Sequence, residues 1–516
     1  MKNLIYKLSF VALTASLLIS CEDELEIVNP NRLATEAYFT TQDQAIASVD
    51  AVYNALIVDG LYQRLTPVLG DGRGDEVRSR SPLPWYPQTS NFTVPATDAF
   101  GDIPYVGYYI LVNRANQALE NIPNIEDVDE GLRDRLLGQA YFLRALAYFN
   151  LTNVYDNVPL VLTVPQGLED FAPSNQDITQ EIIYDQVEAD LIEAIARLPL
   201  SYIGVSGSDS GQVGRVTLGA ANALMGRLKL YEGNPEAALP FLREVVNSQQ
   251  YDLDPNYGSL FSQDPTVEAA SRGRIFWAEF TQSLNAVFNW GGDPNVNWRQ
   301  FIALAPTYSG ADFYDFFPTQ FIVDELRSER TVDDQLDPRY AATILSYDED
   351  EGLVQAYGGD FFLDRNTNFI AKYTLANSGG DPFSAGINYH IIRFADVLLM
   401  YAECLANSGN MSLAAEQVQR VRDRANLPDR EVEFSSYSLN QFMDQLAHER
   451  VTELGIEGLR YYDIKRWGWL EDPAKLAELS ANDEDFNTFT AGREYQPIPQ
   501  NELDRNPNLI GNSANQ

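Results

Sequence analysis

"GRLKLYEGNPEAALPFLREVV", residues 226–246, carries the pattern that decides the fold. Gly226, the Gly233-Asn234 pair and Ala238 follow one another at offsets of seven and five residues. The same offsets recur in "AECLANSGNMSLAAEQVQRVRDRA", residues 402–425, at Ala402, Gly409-Asn410 and Ala414. Small residues let two antiparallel helices approach closely, and the Gly-Asn pair supplies the turn between them. A helix–turn–helix pattern repeated at a distance marks a chain built from stacked helical hairpins, so a mainly α fold is expected.

Reading outward, "GLRDRLLGQAYFLRALAYFNLTNVYDNVPL" (131–160) has no proline between Leu132 and Val158 and sets Leu136, Ala140, Leu143, Ala147 and Leu151 at helical spacing. It predicts a long helix buried on one face. "DITQEIIYDQVEADLIEAIARLP" (177–199) predicts another, capped near Asp177 and stopped by Pro199, with Ile178, Ile182, Val187, Leu191, Ile195 and Leu198 as its apolar stripe. The two hairpins are similar to tetratricopeptide helix pairs, without the full aromatic pattern of that repeat. Residues 250–390 differ in texture: "RIFWAEF" (274–280) is strand-like, and "GGDPN" (291–295) and "NSGGDPF" (377–383) are turns. This part reads as loops and short strands laid on the helical scaffold.

At the N-terminus, Lys2 and Lys7 precede an apolar run that ends in "LLISCEDELE" (17–26). The run is too short to span a bilayer, and small Ser20 before Cys21 matches a bacterial lipobox. Residues 1–20 are therefore expected to be a lipoprotein signal peptide, Cys21 the lipidated residue, 21–30 an acidic tether, and 31–516 a single body with its loop-rich insert at about 250–390. No later apolar run is expected to cross a membrane. The formal net charge is −38, with 74 acidic against 36 basic residues. Such a body repels nucleic acid and anionic headgroups. Only Cys21 and Cys404 exist, and lipidation of the first leaves no intrachain disulfide. His390 and His448 stand in no zinc or Ser-His-Asp motif and are expected to be structural. No cofactor is expected; the carboxylates leave room for a structural calcium ion, but no EF-hand spacing marks one.

Six segments in order then resemble the SusD/RagB-like outer-membrane lipoproteins: "NPNRLATEAYFTTQDQAIASVDAVYNAL" (29–56), "AYFLRALAYFNLTNVYDNVPLV" (140–161), "GRVTLGAANALMGRLKLYEGN" (214–234), "IIRFADVLLMYAECLANSGN" (391–410), "HERVTELGIEGLRYYDIKRWG" (448–468) and "YQPIPQNELDRNPNL" (495–509). A departure is Val451-Thr452, where the family commonly has an arginine and an apolar residue. The resemblance implies a SusD-like fold of four tetratricopeptide-like units carrying an irregular part. It implies a lipid-anchored protein of the outer membrane that faces the cell surface, the acids after Cys21 resembling an export signal. It also implies a non-catalytic lid on a SusC-like TonB-dependent transporter, capturing oligosaccharide or polysaccharide for import. Peptide cargo in place of glycan, or a tetratricopeptide-like scaffold for protein partners, are the alternatives.

A glycan binder needs exposed aromatic platforms beside short polar side chains. Trp277, Trp467 and Trp469 lie in regular elements and read as core. Trp85, with Tyr86 beside it, lies between Pro84 and Pro87, which exclude a regular helix and place it in a surface loop. Trp290 and Trp298, with Asn297 and Arg299, lie among Asn, Gly and Asp in "NAVFNWGGDPNVNWRQF" (285–301). Trp85, Tyr86, Trp290, Asn297, Trp298 and Arg299 are the expected ligand contacts. In "GDGRGDEVRSR" (70–80), Asp71, Asp75 and Glu76 have no spacing that makes them a catalytic pair; they read as a solvated charge run neutralised by Arg73, Arg78 and Arg80.

Overall fold

Thr41 opens the first helix: its hydroxyl accepts from the backbone N–H of Gln44, whose side chain accepts in return from Thr41 N–H. This reciprocal cap satisfies N–H groups that have no partner inside the helix. The computed structural model describes residues 39–280, 300–301, 315–356, 359–361, 363–374 and 384–516. Its principal elements are α1 (Gln42–Ala55), α2 (Leu65–Asp71), β1 (Val77–Ser79), α3 (Trp85–Ser90), α4 (Asp102–Asn121), α5 (Glu130–Tyr155), α6 (Gln180–Arg197), α7 (Leu218–Tyr231) and α8 (Pro235–Asn247). There follow β2 (Arg274–Ala278), β3 (Phe316–Pro318), α9 (Gln320–Arg327), β4 (Ile344–Leu345), β5 (Phe369–Ile370), β6 (Tyr389–Arg393), α10 (Phe394–Asn407), α11 (Met411–Arg424), α12 (Leu439–Leu454) and α13 (Arg460–Arg466).

Helices α4 to α8 pack in succession, α8 rests on α10, and α10 on α11 and α12. The two hairpins read from the sequence are α7/α8 and α10/α11. Their turns place Gly233 at φ +71° and Gly409 at φ +77°, a region that L side chains avoid. Gly226 is the close approach: a Cβ there would lie 2.5 Å from the Leu242 side chain across the hairpin. Ala238, Ala402 and Ala414 are fully buried, as small contact residues should be.

Two helix readings change in detail. The cap of α6 is Thr179, whose side chain accepts from Ile182 N–H, and not Asp177. The buried stripe of α6 runs through Ile183, Val187, Leu191 and Ala194, leaving Ile182 and Ile192 exposed. Helix α5 is buried nearly all round from Gln139 to Phe149, because α1, α4 and α6 surround it. The stretch Gln42–Gln63 is long and apolar enough to cross a membrane by length and composition, contrary to the sequence reading; 67% of its most apolar 18-residue window is buried, as in a core helix.

The strands form short antiparallel pairs among the described residues: β1 with β3, β2 with β6, β4 with β5. They lie on the helical body, and one apolar cluster runs from Ala45 through the hairpins to Leu509.

Candidate functional site

The signature segment 448–468 builds the support of the site. Glu449 pairs with Arg339 at 2.6 Å and Arg422 at 3.3 Å; Arg450 pairs with Asp463 at 2.6 Å and Asp396 at 2.9 Å. Glu453 bridges Arg339, Arg393 and Arg424, and Glu457 holds Arg393 at 2.6 Å and Lys372 at 3.0 Å. These groups are almost wholly buried. Burial opposes the charge on Glu453, but the three arginines overcome it and bring the carboxyl down to about 2. Val451 and Thr452, where the chain departs from the family pattern, are buried between these ion pairs without breaking them.

The same segment fixes the charged turn at 70–80. Arg460 clasps Asp75 through two bonds, at 2.7 and 2.9 Å; Ile456 N–H donates to Glu76 at 2.9 Å, and Gly458 N–H to Asp71 at 2.6 Å. Asp71, Asp75 and Glu76 are at most 1% exposed. The reading of a solvated charge run is therefore corrected. The carboxylates are buried acceptors that anchor the turn to the loop after α12. Burial pushes Glu76 up to about 7 despite the bond from Ile456.

From this anchored turn the chain enters β1, which pairs with β3 so that Arg78 faces Phe317 and Ser79 faces Phe316. Arg80 N–H donates to the Asp315 carbonyl at 3.0 Å and extends the ribbon. The ribbon, the residues before β5 and Asn482 enclose a cleft of about 350 Å³. Half-buried Phe317 and Pro318 supply its apolar floor. The Arg80 guanidinium lies 4.7 Å from the Phe317 ring centroid, a cation–π distance. Asp364 shapes the far wall: it accepts from Asn366 N–H and the Thr367 hydroxyl, in a turn that presents Asn366, Thr367 and Asn368. Arg78 is held by Asp483 at 2.9 Å and Glu484 at 2.9 Å, and Asn482 donates to Asp75 at 2.9 Å. The exposed Arg80 guanidinium and the Asn368 amide make no hydrogen bond within the described residues. The cleft thus sets the apolar Phe317 and Pro318 beside donors and amide groups that make no hydrogen bond within the described residues, a combination that suits a ring with C–H faces and hydroxyl edges.

The expected contacts fall differently. Trp85 and Tyr86 lie in helix α3, not in a loop, and are 1% and 0% exposed. Proline is tolerated there because Pro84 is the N-cap and Pro87 sits in the first turn, whose N–H groups have no intrahelical acceptor. Trp85 packs against Phe100, and Tyr86 meets Phe316 edge-on at 5.4 Å and accepts from Arg64 at 3.2 Å. Neither ring has a face to offer a ligand; they support the ribbon from beneath. Trp290, Asn297, Trp298 and Arg299 lie outside the described residues, as does Cys21. Trp277, read as core, is half-buried and lines a second cleft. Trp467 and Trp469 are held as structural residues: Trp467 Nε1 donates to Glu403 at 3.1 Å, and Trp469 lies under Arg460 at 5.0 Å. His390 is buried, which holds it well below its usual range, and His448 is bound to Glu325 at 2.5 Å. The cleft residues that the sequence reading did not single out as a site, Arg80, Phe317 and Asn368, stand far apart in the chain. The one signal for them was the arginine-rich end of 70–80.

A helical-hairpin scaffold bearing a loop-built polar cleft defines the class of protein, and comparison with known families places it. Residues 275–514 match the model described as "SusD family", and residues 84–230 match the one described as "Starch-binding associating with outer membrane". The chain belongs to the SusD/RagB-like family. It is 26% identical to SusD-like protein P38 of Formosa agariphila over 522 residues, 97% of each chain. A SusD superfamily protein from Bacteroides vulgatus superposes with a TM-score of 0.78 at 25% identity, covering 92% of this chain and 100% of that one. A protein described as a laminarin binding SusD-like protein superposes with a TM-score of 0.74 at 26% identity, covering 92% and 99%. The mainly α, SusD-like fold expected from the sequence is the one observed.

Proposed function

We propose that this protein is a surface glycan-binding lipoprotein of the outer membrane that captures neutral oligosaccharide or polysaccharide in the Arg80–Phe317 cleft and passes it, without catalysis, to a SusC-like TonB-dependent transporter. The observation that carries the reading is the cleft itself, where an apolar floor meets the Arg80 guanidinium and the Asn368 amide, neither of which makes a hydrogen bond within the described residues. The full-length likeness to a laminarin-binding relative supports glycan as the cargo class. The acidic body favours a neutral glycan over an acidic one. Cys21 supplies the anchor, since several acyl chains on one residue give stable attachment where one gives only marginal binding.

The role is tested by incubating the full-length chain with neutral oligosaccharides, following both binding and products. Saturable binding with no shortened product supports capture. Release of shorter sugars contradicts the non-catalytic role, and binding of peptides in place of glycans moves the cargo to the other class. Co-purification with a TonB-dependent transporter from the native membrane tests delivery.

A further inference from the structure

A second cleft, of about 390 Å³, lies between α1, the turn before α7 and the end of β2. Trp277 lines it half-buried, and the Arg274 guanidinium stands 4.7 Å from its ring centroid. Gly214, at φ +85°, closes the adjoining wall with bare backbone: a Cβ there would lie 3.0 Å from Glu279 Oε2 and 3.7 Å from the Trp277 ring. The wall comes this near the indole and the carboxylate only because the residue is glycine.

The polar groups are arranged asymmetrically. Arg215 is used up internally: Nε donates to Gln212 Oε1 at 2.5 Å, Nη1 to Gln139 Oε1 at 3.0 Å and Nη2 to Asp50 Oδ1 at 2.9 Å. Arg274 is likewise engaged with Glu268. Asp50 Oδ2 and the exposed Glu279 carboxylate make no hydrogen bond within the described residues. The cleft is therefore lined by a half-buried indole and two acceptors, with no uncommitted cation among the described residues to attract an anion. Its complement is a molecule with an apolar face and adjacent donors, which is an uncharged pyranose; a carboxylated or sulfated sugar is repelled.

We infer that the Trp277 cleft is a second carbohydrate site, in which a neutral pyranose stacks on the indole and donates hydroxyls to Asp50 and Glu279. It depends on the proposed function only for the class of ligand; no residue is shared with the Arg80 cleft. Two sites on one chain would let a polysaccharide be held at two points, raising retention above that of either site alone.

The test is calorimetric titration of the full-length chain in detergent with hexasaccharides of β-1,3-, β-1,4- and α-1,4-linked glucose and of β-1,4-linked mannose. The variants are Asp50→Ala with Glu279→Ala, truncations at exposed positions that remove both acceptors, and Arg80→Ala with Asn368→Ala. Circular dichroism checks each fold. The inference expects two sites per chain for at least one sugar, one of them weakened tenfold or more in the Asp50/Glu279 variant and retained in the Arg80/Asn368 variant. A titration of the Asp50/Glu279 variant that matches the unaltered chain overturns the second site. Complete loss of binding in the Arg80/Asn368 variant overturns it too and leaves the proposed function standing. Failure of every hexasaccharide to bind the unaltered chain contradicts both.

Discussion

Glu76 anchors the binding ribbon while carrying a carboxyl that burial pushes up to about 7, from an ordinary value of 4.5. The folded chain therefore holds its proton more tightly than the unfolded chain, and Glu76 costs stability as the pH rises from about 4.5 through 7. Glu76→Gln keeps an acceptor for Ile456 N–H and removes that titration. The Tm difference between Glu76→Gln and the unaltered chain is expected to shift in favour of the variant across that window and to level off above it. A difference independent of pH would show that Glu76 is ionised throughout. Residue identity alone misleads at this scale. Glu76 and Asp75 read as solvated charge because the backbone donor and the arginine that pair with them come from the loop after α12 and the start of α13, about 380 residues away. Trp85 read as a loop residue because the two prolines beside it forbid a helix interior, whereas the structure uses them at a helix start.

Elements were more legible than residues. The seven-and-five spacing identified α7/α8 and α10/α11, since Gly-Asn turns and small contact residues are local consequences of local sequence. Gly226→Ala pushes a methyl group toward Leu242, where a Cβ has only 2.5 Å. Overpacking of this kind costs roughly 1–3 kcal/mol, readable by urea denaturation; a cost under half that would mean the hairpin relaxes freely. Helix α12 depends instead on long-range charge. Glu453→Gln leaves Arg339, Arg393 and Arg424 facing a neutral amide in a buried place. Breaking a buried ion pair costs roughly 3–5 kcal/mol, and that loss is expected at pH 7. Because the Glu453 carboxyl lies at about 2 in the folded chain, against 4.5 ordinarily, its stabilisation is fully present above 4.5 and is lost as the pH falls toward 2. The variant and the unaltered chain should therefore converge in acid; a gap that persists at pH 2 would assign the effect to packing. The sequence showed the charges of 448–468 but not their partners, which come from the stretch between α9 and the end of α11 and from the turn before β1.

At the scale of the whole molecule, the helical hairpins form a frame, the signature segment locks the ribbon to it, and the ribbon holds Arg80 and Phe317 against the asparagines before β5. The class of the protein was legible because six segments keep their order along the chain. The cleft was not, because it is assembled from positions near 80, 317, 367 and 482, whose proximity is a property of the fold alone. The most direct test of the account is affinity electrophoresis of the full-length chain in detergent through gels containing neutral polysaccharides, laminarin among them, beside the Arg80→Ala/Asn368→Ala variant. The account predicts that at least one polysaccharide retards the unaltered chain and that the variant loses most of this retardation while keeping its fold. Equal retardation of both proteins would contradict the placement of the site, and migration unaffected by every polysaccharide would contradict glycan capture itself.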